Sequence, residues 1–219
     1  MKKILAVIFS LSFCTALNAA DWGMGISAGL HKIDAEGSEI LRDSKKVSNA
    51  NNSEDVVIPE IFLETIVSQN LSFGISYIPT RELGSKSRTE NTAVVTGRDN
   101  GTYKAEAELK NVFKLYTDVP VGPSFMGGTN VYAHLGIQHV TVGTLEALNS
   151  GTQYPDKDIW GATYGIGVKG DLPLVANMYF KGEVTHTDFE KMEIGSQQGN
   201  IVKADLEDTA ARLSIGYKF

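Results

Sequence analysis

Cysteine is almost missing from this sequence, because its 219 residues include only Cys14. Cys14 lies in an apolar run, residues 4–17, that follows two lysines and precedes two alanines. This order is typical of a secretory signal peptide, and we predict a cleavage that removes residues 1–19. The remaining domain, residues 20–219, then has no thiol and no disulfide, and we expect it to hold no metal and no cofactor.

Long apolar runs and an excess of basic residues are missing as well. A membrane-spanning helix needs about 20 predominantly apolar residues, and the best candidate, Val56–Val67, is interrupted by a proline and two glutamates. The pattern therefore excludes a helical inner-membrane protein. The chain has 20 Lys and Arg against 26 Asp and Glu, a net charge of −6, which becomes −8 when two lysines leave with the signal peptide. An acidic protein of this kind is not expected to bind nucleic acid.

What the sequence does contain is an alternation of apolar and polar residues with a period of two, which predicts β-strands. Four long polar connections, 32–55, 83–102, 143–158 and 188–208, alternate with shorter ones. Because the last residue is still part of a strand-like pattern, we predict that Phe219 pairs with the first strand and closes the sheet. The fold class is therefore an all-β, eight-stranded antiparallel up-and-down barrel. The eight segments are Trp22–His31, Glu60–Val67, Leu71–Ile78, Tyr103–Leu115, Val131–Gln138, Trp160–Lys169, Met178–Thr185 and Ala211–Phe219.

One face of these segments carries charges of both signs. A Lys or Arg that faces lipid at the bilayer midplane costs roughly 2–4 kcal/mol, so these charges are predicted to line the lumen. Asn111 breaks the alternation of its segment, and a bulge there would move the residues on one side of it to the other face. The predicted lumen-facing charges are Glu60, Glu64, Lys104, Glu106, Glu108, Lys110, Lys114, Lys169, Lys181, Glu183 and Arg212. The predicted lipid-facing residues include Trp22, Ile75, Leu109, Ile166 and Leu213.

The C-terminal stretches YGIGVKGDLPLVANMYFKGEVTHTDFE and ARLSIGYKF resemble the last two hairpins of the small bacterial outer-membrane β-barrel family. This broad group includes the OmpA membrane domain, OmpX and OmpW. The resemblance implies an outer-membrane location, contact with outer-membrane lipid and lipopolysaccharide, and a monomer. It also implies that the barrel assembly machinery recognises Tyr217 and Phe219.

The resemblance leaves several functions open. We expect an envelope protein without enzymatic activity, whose inner charges form either a paired polar core or a narrow, gated pore. OmpW-like passage of small apolar solutes is an alternative, and a barrel enzyme that acts on lipid or peptides is another. The stretch from His186 to Asp188 resembles the His-x-Ser motif of lipid A deacylases, but Asp188 stands where that motif has its serine. A soluble exported barrel, with apolar residues inside, is a further alternative.

Overall fold

The computed structural model describes residues 21–42, 45–67, 71–90, 101–125, 128–148, 154–196 and 199–219, so the predicted signal peptide lies outside the described residues. Within these ranges, no helix has the length and apolar character that crossing a membrane requires. The described chain forms β1 (Asp21–Ile40), β2 (Val47–Ile66), β3 (Ser72–Ile78), β4 (Arg81–Glu90), β5 (Gly101–Pro120), β6 (Asn130–Leu148), β7 (Lys157–Asp171), β8 (Met178–Phe189), β9 (Met192–Gly195) and β10 (Ile201–Lys218).

The strands close into one antiparallel barrel. The strands β3 and β4 both pair with β5, and β8 and β9 both pair with β10, so the ten strands make a wall of eight segments. Pairing of β1 with β10 runs from Gly23–Lys218 to Ile40–Ile201. Two backbone hydrogen bonds continue it, because Trp22 N donates to Phe219 O over 3.3 Å and Phe219 N donates to Trp22 O over 2.8 Å. The predicted eight-stranded fold and its closure by Phe219 are confirmed.

A belt of exposed apolar side chains surrounds the barrel next to the short connections. Ile75, Ile166 and Leu213 lie exposed in it as predicted, and Trp22 is half-buried. The inner face of the same stretch holds charged and tyrosine side chains. We define the belt as residues Met24–Leu30, Val57–Leu63, Phe73–Tyr77, Phe113–Val119, Val131–Ile137, Trp160–Val168, Phe180–Val184 and Ala211–Tyr217.

Above the belt the strands continue, and the polarity of their two faces is reversed. In β1 the exposed Met24, Ile26 and Leu30 occupy even positions, whereas Ile33 is buried at an odd position without any break in the strand. The apolar positions of β2, β6, β8 and β10 change parity in the same way, with buried Ile58, Val140, Phe189 and Leu206. This part of the barrel, which we call the extension, has an apolar interior and a polar exterior, as a water-soluble barrel has.

In β5 a bulge, not a change in sequence pattern, produces the reversal. Asn111 has a φ of 51°, and the register of β5 against β6 shifts between Lys110 and Phe113. The predicted irregularity at Asn111 is therefore confirmed. As a result Leu109 is buried inside and not exposed to lipid, while Glu108 and Lys110 lie on the opposite face, so these three predictions are wrong.

Above the belt, backbone pairing joins the strand segments into two groups, which we call the two sheets of the extension. One contains β9, the upper halves of β10 and β1, and β2 residues 47–56. The other contains β4 and the upper halves of β5 and β6. The prediction that residues 32–55, 83–102, 143–158 and 188–208 are connections is thus wrong for most of the described part of these segments. In the described parts of 32–55 and 188–208 the apolar members, such as Ile33, Ile194 and Leu206, point inward and not outward.

The two sheets of the extension are not joined at β2 and β4. The ladder between β2 and β3 runs from Ile66–Ser72 to Ile61–Tyr77. Continued by two residues, this register places Pro59 opposite Pro79, and neither residue has a backbone N–H to donate. Among the described residues, β4 pairs with β5 alone and β2 forms no ladder with it. We call this gap between β2 and β4 the seam.

Asn111 should be replaceable by glycine but not by valine. A left-handed backbone costs a non-glycine residue roughly 1–2 kcal/mol, and a β-branched side chain tolerates it least. We expect N111V to lower the free energy of unfolding in lipid vesicles by about that amount, whereas N111G retains it within about 0.5 kcal/mol. Equal stability of N111V and the unchanged protein in urea titrations would contradict the assigned bulge.

Candidate functional site

Inside the belt, ionisable side chains from six strands form one connected group, which we call the charged core. Each of its members is at most 8% exposed. Four carboxylates face four Lys and Arg side chains, so these fixed charges are equal in number, and one histidine completes the group. The members are Glu60, Glu64, Lys114, Asp118, His134, Lys169, Lys181, Glu183 and Arg212.

Glu64 is the most highly connected carboxylate of the charged core. Its Oε1 lies 2.7 Å from Lys169 Nζ and accepts a 2.7 Å hydrogen bond from Tyr179 OH. Its Oε2 accepts a 3.1 Å hydrogen bond from Tyr116 OH and lies 3.5 Å from Lys181 Nζ. The lone pairs of this buried carboxylate are therefore matched by donors, as a buried charge requires.

The ion pairs continue from Lys181 across the barrel. Lys181 Nζ lies 2.6 Å from Asp118 Oδ2, and Asp118 Oδ1 lies 2.7 Å from His134 Nδ1. Glu183 accepts a 2.7 Å hydrogen bond from Tyr132 OH and lies 2.9 Å from Arg212 Nη2.

Arg212 and Lys114 complete the group. Arg212 Nη1 is 2.7 Å from Glu60 Oε2, and Lys114 Nζ is 2.9 Å from Glu60 Oε1. The alternating signs span the lumen from Lys169 to Lys114. At the strand number of this barrel, side chains suffice to fill the interior.

Glycines make room for the tyrosines of the charged core. A Cβ at Gly74 would lie 2.3 Å from the Tyr116 ring, and one at Gly216 would lie 2.3 Å from the Tyr179 ring. The small residues on the inner face, which the sequence pattern suggested for a narrow lumen, are therefore spaces that tyrosine rings from other strands fill.

The structure places the residues predicted to face the lumen in three different situations. Glu60, Glu64, Lys114, Lys169, Lys181, Glu183 and Arg212 lie in the charged core. Glu108 and Lys110 lie outside it, on the extension, where a 3.1 Å contact with Glu108 raises the pKa of Lys110 above its ordinary value. The side chains of Lys104 and Glu106 lie outside the described part of the chain.

Sequence reasoning missed Asp118 and the central roles of His134 and the three tyrosines. Asp118 lies beyond the predicted segment Tyr103–Leu115, although Lys114, Tyr116 and Asp118 continue the alternation of β5 to its end at Pro120. The signal was therefore present in the sequence.

Asp118, His134 and Glu183 present ligand atoms within 4.8 Å of one another, the spacing of a metal site. These atoms already have partners, since Lys181 lies 2.6 Å from Asp118, Arg212 lies 2.9 Å from Glu183 and His134 Nδ1 lies 2.7 Å from Asp118. A cation at this position would compete with two fixed cationic side chains, so the geometry favours an ion-pair network.

Above the charged core lies a second inner layer, the apolar core of the extension. At the boundary between the layers, His31 Nδ1 lies 2.8 Å from Asp208 Oδ2. At the top, Tyr154 OH donates a 2.9 Å hydrogen bond to Glu39 Oε1. The buried members of the apolar core are Ile33, Ile58, Ile78, Leu109, Val112, Val140, Val142, Tyr154, Ile159, Phe189, Met192, Ile194 and Leu206.

The family is decided by a comparison with known protein families, in which the model of the outer membrane protein beta-barrel domain matches residues 4–219. The chain belongs to this outer-membrane β-barrel family. It is therefore a protein of the outer membrane, and the belt is its lipid-facing surface. In such barrels the short turns face the periplasm and the long segments face the exterior, so the extension projects from the cell.

A solved structure of this class shares the fold at low sequence identity. OprG from Pseudomonas aeruginosa is 17% identical, with a TM-score of 0.61 over 92% of this chain and 96% of its own. Ail of Yersinia pestis is 12% identical, with a TM-score of 0.41 over 91% of this chain and 99% of its own. No curated protein sequence matches the chain.

The remaining predicted residues of this outer-membrane barrel lie on its outer surface. Tyr217 and Phe219 are exposed at the periplasmic end of the belt. His186 lies near the upper edge of the belt, where its Nδ1 is 3.0 Å from Thr209 Oγ1 and its ring is 5.4 Å from that of Tyr164.

Removing one charge from the charged core should destabilise the barrel strongly. Loss of one partner from a buried ion pair costs about 3–5 kcal/mol, because it leaves an uncompensated charge. We expect E64Q to lose an amount in that range in reversible unfolding from lipid vesicles.

A matched control is E193Q, which removes the same group from the exposed pair of Glu193 and Lys203, 3.0 Å apart on the extension. Exposed pairs contribute at most about 1 kcal/mol. If E64Q cost no more than E193Q, the charged core would not be the stabilising unit described here.

Proposed function

We propose that this outer-membrane barrel passes small apolar solutes from the cell exterior into the membrane through the seam. The observation that carries the proposal is the position of the seam, which begins within the belt and has the apolar core directly behind it. The competing hypotheses are a narrow pore along the barrel axis and a purely structural role.

The charged core argues against an axial path. Its ionisable side chains are buried and paired with one another across the lumen. A solute or hydrated ion moving along the axis would have to separate these pairs, and each separation would leave a charge buried without a partner. Transport toward the periplasm along the axis is therefore disfavoured by the same contacts that stabilise the barrel.

The apolar core provides the opposite environment one layer higher. Ile58 of β2 and Ile78 of β3 are almost completely buried beside the seam. An apolar solute that enters the extension exchanges water for hydrocarbon contacts, a transfer worth about 25 cal/mol per Å² of apolar surface buried. Side chains in this layer can rearrange without separating charges, whereas those of the charged core cannot.

The seam connects that layer to lipid. Pro59 pairs with Ala28 of β1. Two residues further toward the extension, Val57 pairs with Leu30, and both of these side chains are exposed in the belt. The gap in the ladder thus begins at the depth of the outer leaflet. Continuous backbone pairing would close the wall here, and neither Pro59 nor Pro79 has the backbone N–H that such pairing uses.

Restoring backbone donors at the seam should slow the passage of an apolar probe. We expect cells that express the protein to take up N-phenylnaphthylamine, which intact outer membranes exclude, faster than cells without it. The double variant P59V/P79V should return uptake toward the background rate, because valine can extend the ladder between β2 and β4.

The control for this experiment is P123V/P173V, which changes two exposed prolines at the periplasmic turns and should keep the faster rate. All variants must first show the mobility shift between boiled and unboiled samples that a folded barrel gives. Uptake by P59V/P79V at the unchanged rate would refute passage through the seam.

The axial pore is tested separately by electrical recording. With the charged core intact, we expect the protein in planar bilayers to show no steady conductance in potassium chloride. A stable single-channel conductance would instead support the narrow pore and would show that the charged core opens.

A further inference from the structure

Arg81 occupies a special position at the seam. It is the first residue of β4, two residues after Pro79, and it pairs with Leu109, whose side chain is buried in the apolar core. Residues paired across two strands share a face of the sheet. The Arg81 side chain therefore points into the barrel, at the lower edge of the apolar core.

The guanidinium of Arg81 has buried N–H donors without hydrogen-bond acceptors. Its Nε and Nη1 atoms are buried and find no hydrogen-bond partner among the described residues. The two nearby carboxylates are engaged elsewhere, Asp208 by His31 at 2.8 Å, and Glu60 by Lys114 at 2.9 Å and by Arg212 at 2.7 Å. An arginine keeps its charge in proteins, and an unmatched buried donor is costly.

A small cavity lies against this guanidinium. Two charged side chains, Arg81 and Asp208, border it, and the remaining walls are apolar. Asp208 directs both carboxylate oxygens to His31 Nδ1, at 3.0 and 2.8 Å. The cavity thus offers the unpartnered donors of Arg81 at one wall, the His31-bound carboxylate of Asp208 at another, and hydrocarbon at the rest. The apolar walls are Ile33, Leu109, Val140, Phe189 and Leu206.

We propose that Arg81 binds the carboxylate of small amphipathic solutes that pass through this barrel. A carboxylate accepts two parallel N–H bonds from a guanidinium, which satisfies the unpartnered donors in one step. The cavity has a volume of about 10 Å³, the space of one water molecule, so the carboxylate displaces neighbouring apolar side chains as it enters, while the apolar body of the solute lies along the apolar core toward the seam. The inference rests on the proposed function and narrows its substrate class to solutes with one anionic head.

The proposal is tested by comparing hexanoate with hexanol in calorimetric titrations of the purified barrel in lipid nanodiscs, with empty nanodiscs subtracted. Hydrogen bonds to a charged group are worth enough to favour the anion by about tenfold or more. The unchanged protein should therefore bind hexanoate about tenfold more tightly than hexanol. In R81M the two probes should bind equally, with hexanol as in the unchanged protein.

The control variant R42M removes an exposed arginine at the turn between β1 and β2 and should keep the preference for hexanoate. Urea unfolding separates binding from a structural role. Because R81M removes a buried guanidinium that lacks hydrogen-bond partners, this variant should unfold at the same urea concentration as the unchanged protein or at a higher one. Equal affinities for both probes in the unchanged protein, or an unchanged preference in R81M, would overturn the assignment. Neither result depends on the dye uptake that tests passage through the seam.

Discussion

The medium outside this barrel changes from lipid to water at the upper edge of the belt, part-way along the long strands. A side chain that faces lipid must be apolar, and one that faces water has no such restriction, so the belt and the extension obey different rules. The inner face then takes the complementary composition, with charges inside the belt and hydrocarbon inside the extension. Both inner layers follow from this one constraint. The side chains of a strand alternate between its two faces, so the residue types that do not face the surroundings face the interior.

The two layers have different mechanical consequences. In the charged core each carboxylate has more than one fixed partner, so any rearrangement costs electrostatic energy, and the lower barrel is a rigid plug. The apolar core is held by contacts that are individually weak and can be exchanged for contacts with a solute. The seam adjoins the second layer and not the first. A path that enters from the exterior and leaves sideways therefore disturbs only the softer part of the structure.

Much of the fold was predictable from the period of two, because alternation survives in every strand of the belt and in the terminal Phe219. The extension was mistaken for loops because the apolar residues change parity at its base, as between Leu30 and Ile33, and a pattern that changes phase looks like a pattern that ends. In β5 the opposite error occurred. The sequence keeps one parity from Leu109 to Leu115, and only the backbone bulge at Asn111 turns Leu109 inward.

The candidate site could be predicted only in part. The charged residues of the inner face were visible in the sequence, but their partners were not, since Glu64 meets Lys169 and Tyr179 from strands that are more than one hundred residues away. Arg81 carried no signal at all in the sequence, because its neighbours on β4 do not alternate. Its position became evident only from its register with Leu109 and from the gap beside it.

The exchange of polarity at the upper edge of the belt is tested most directly by a single-cysteine scan along β1 with a fluorescent label. Brominated lipid should quench labels at positions 26 and 30, aqueous iodide should quench a label at position 32, and neither quencher should reach position 33. Quenching of the label at position 33 by lipid, together with protection of position 32 from iodide, would mean that one polarity runs the whole length of the strand, and the account would be wrong.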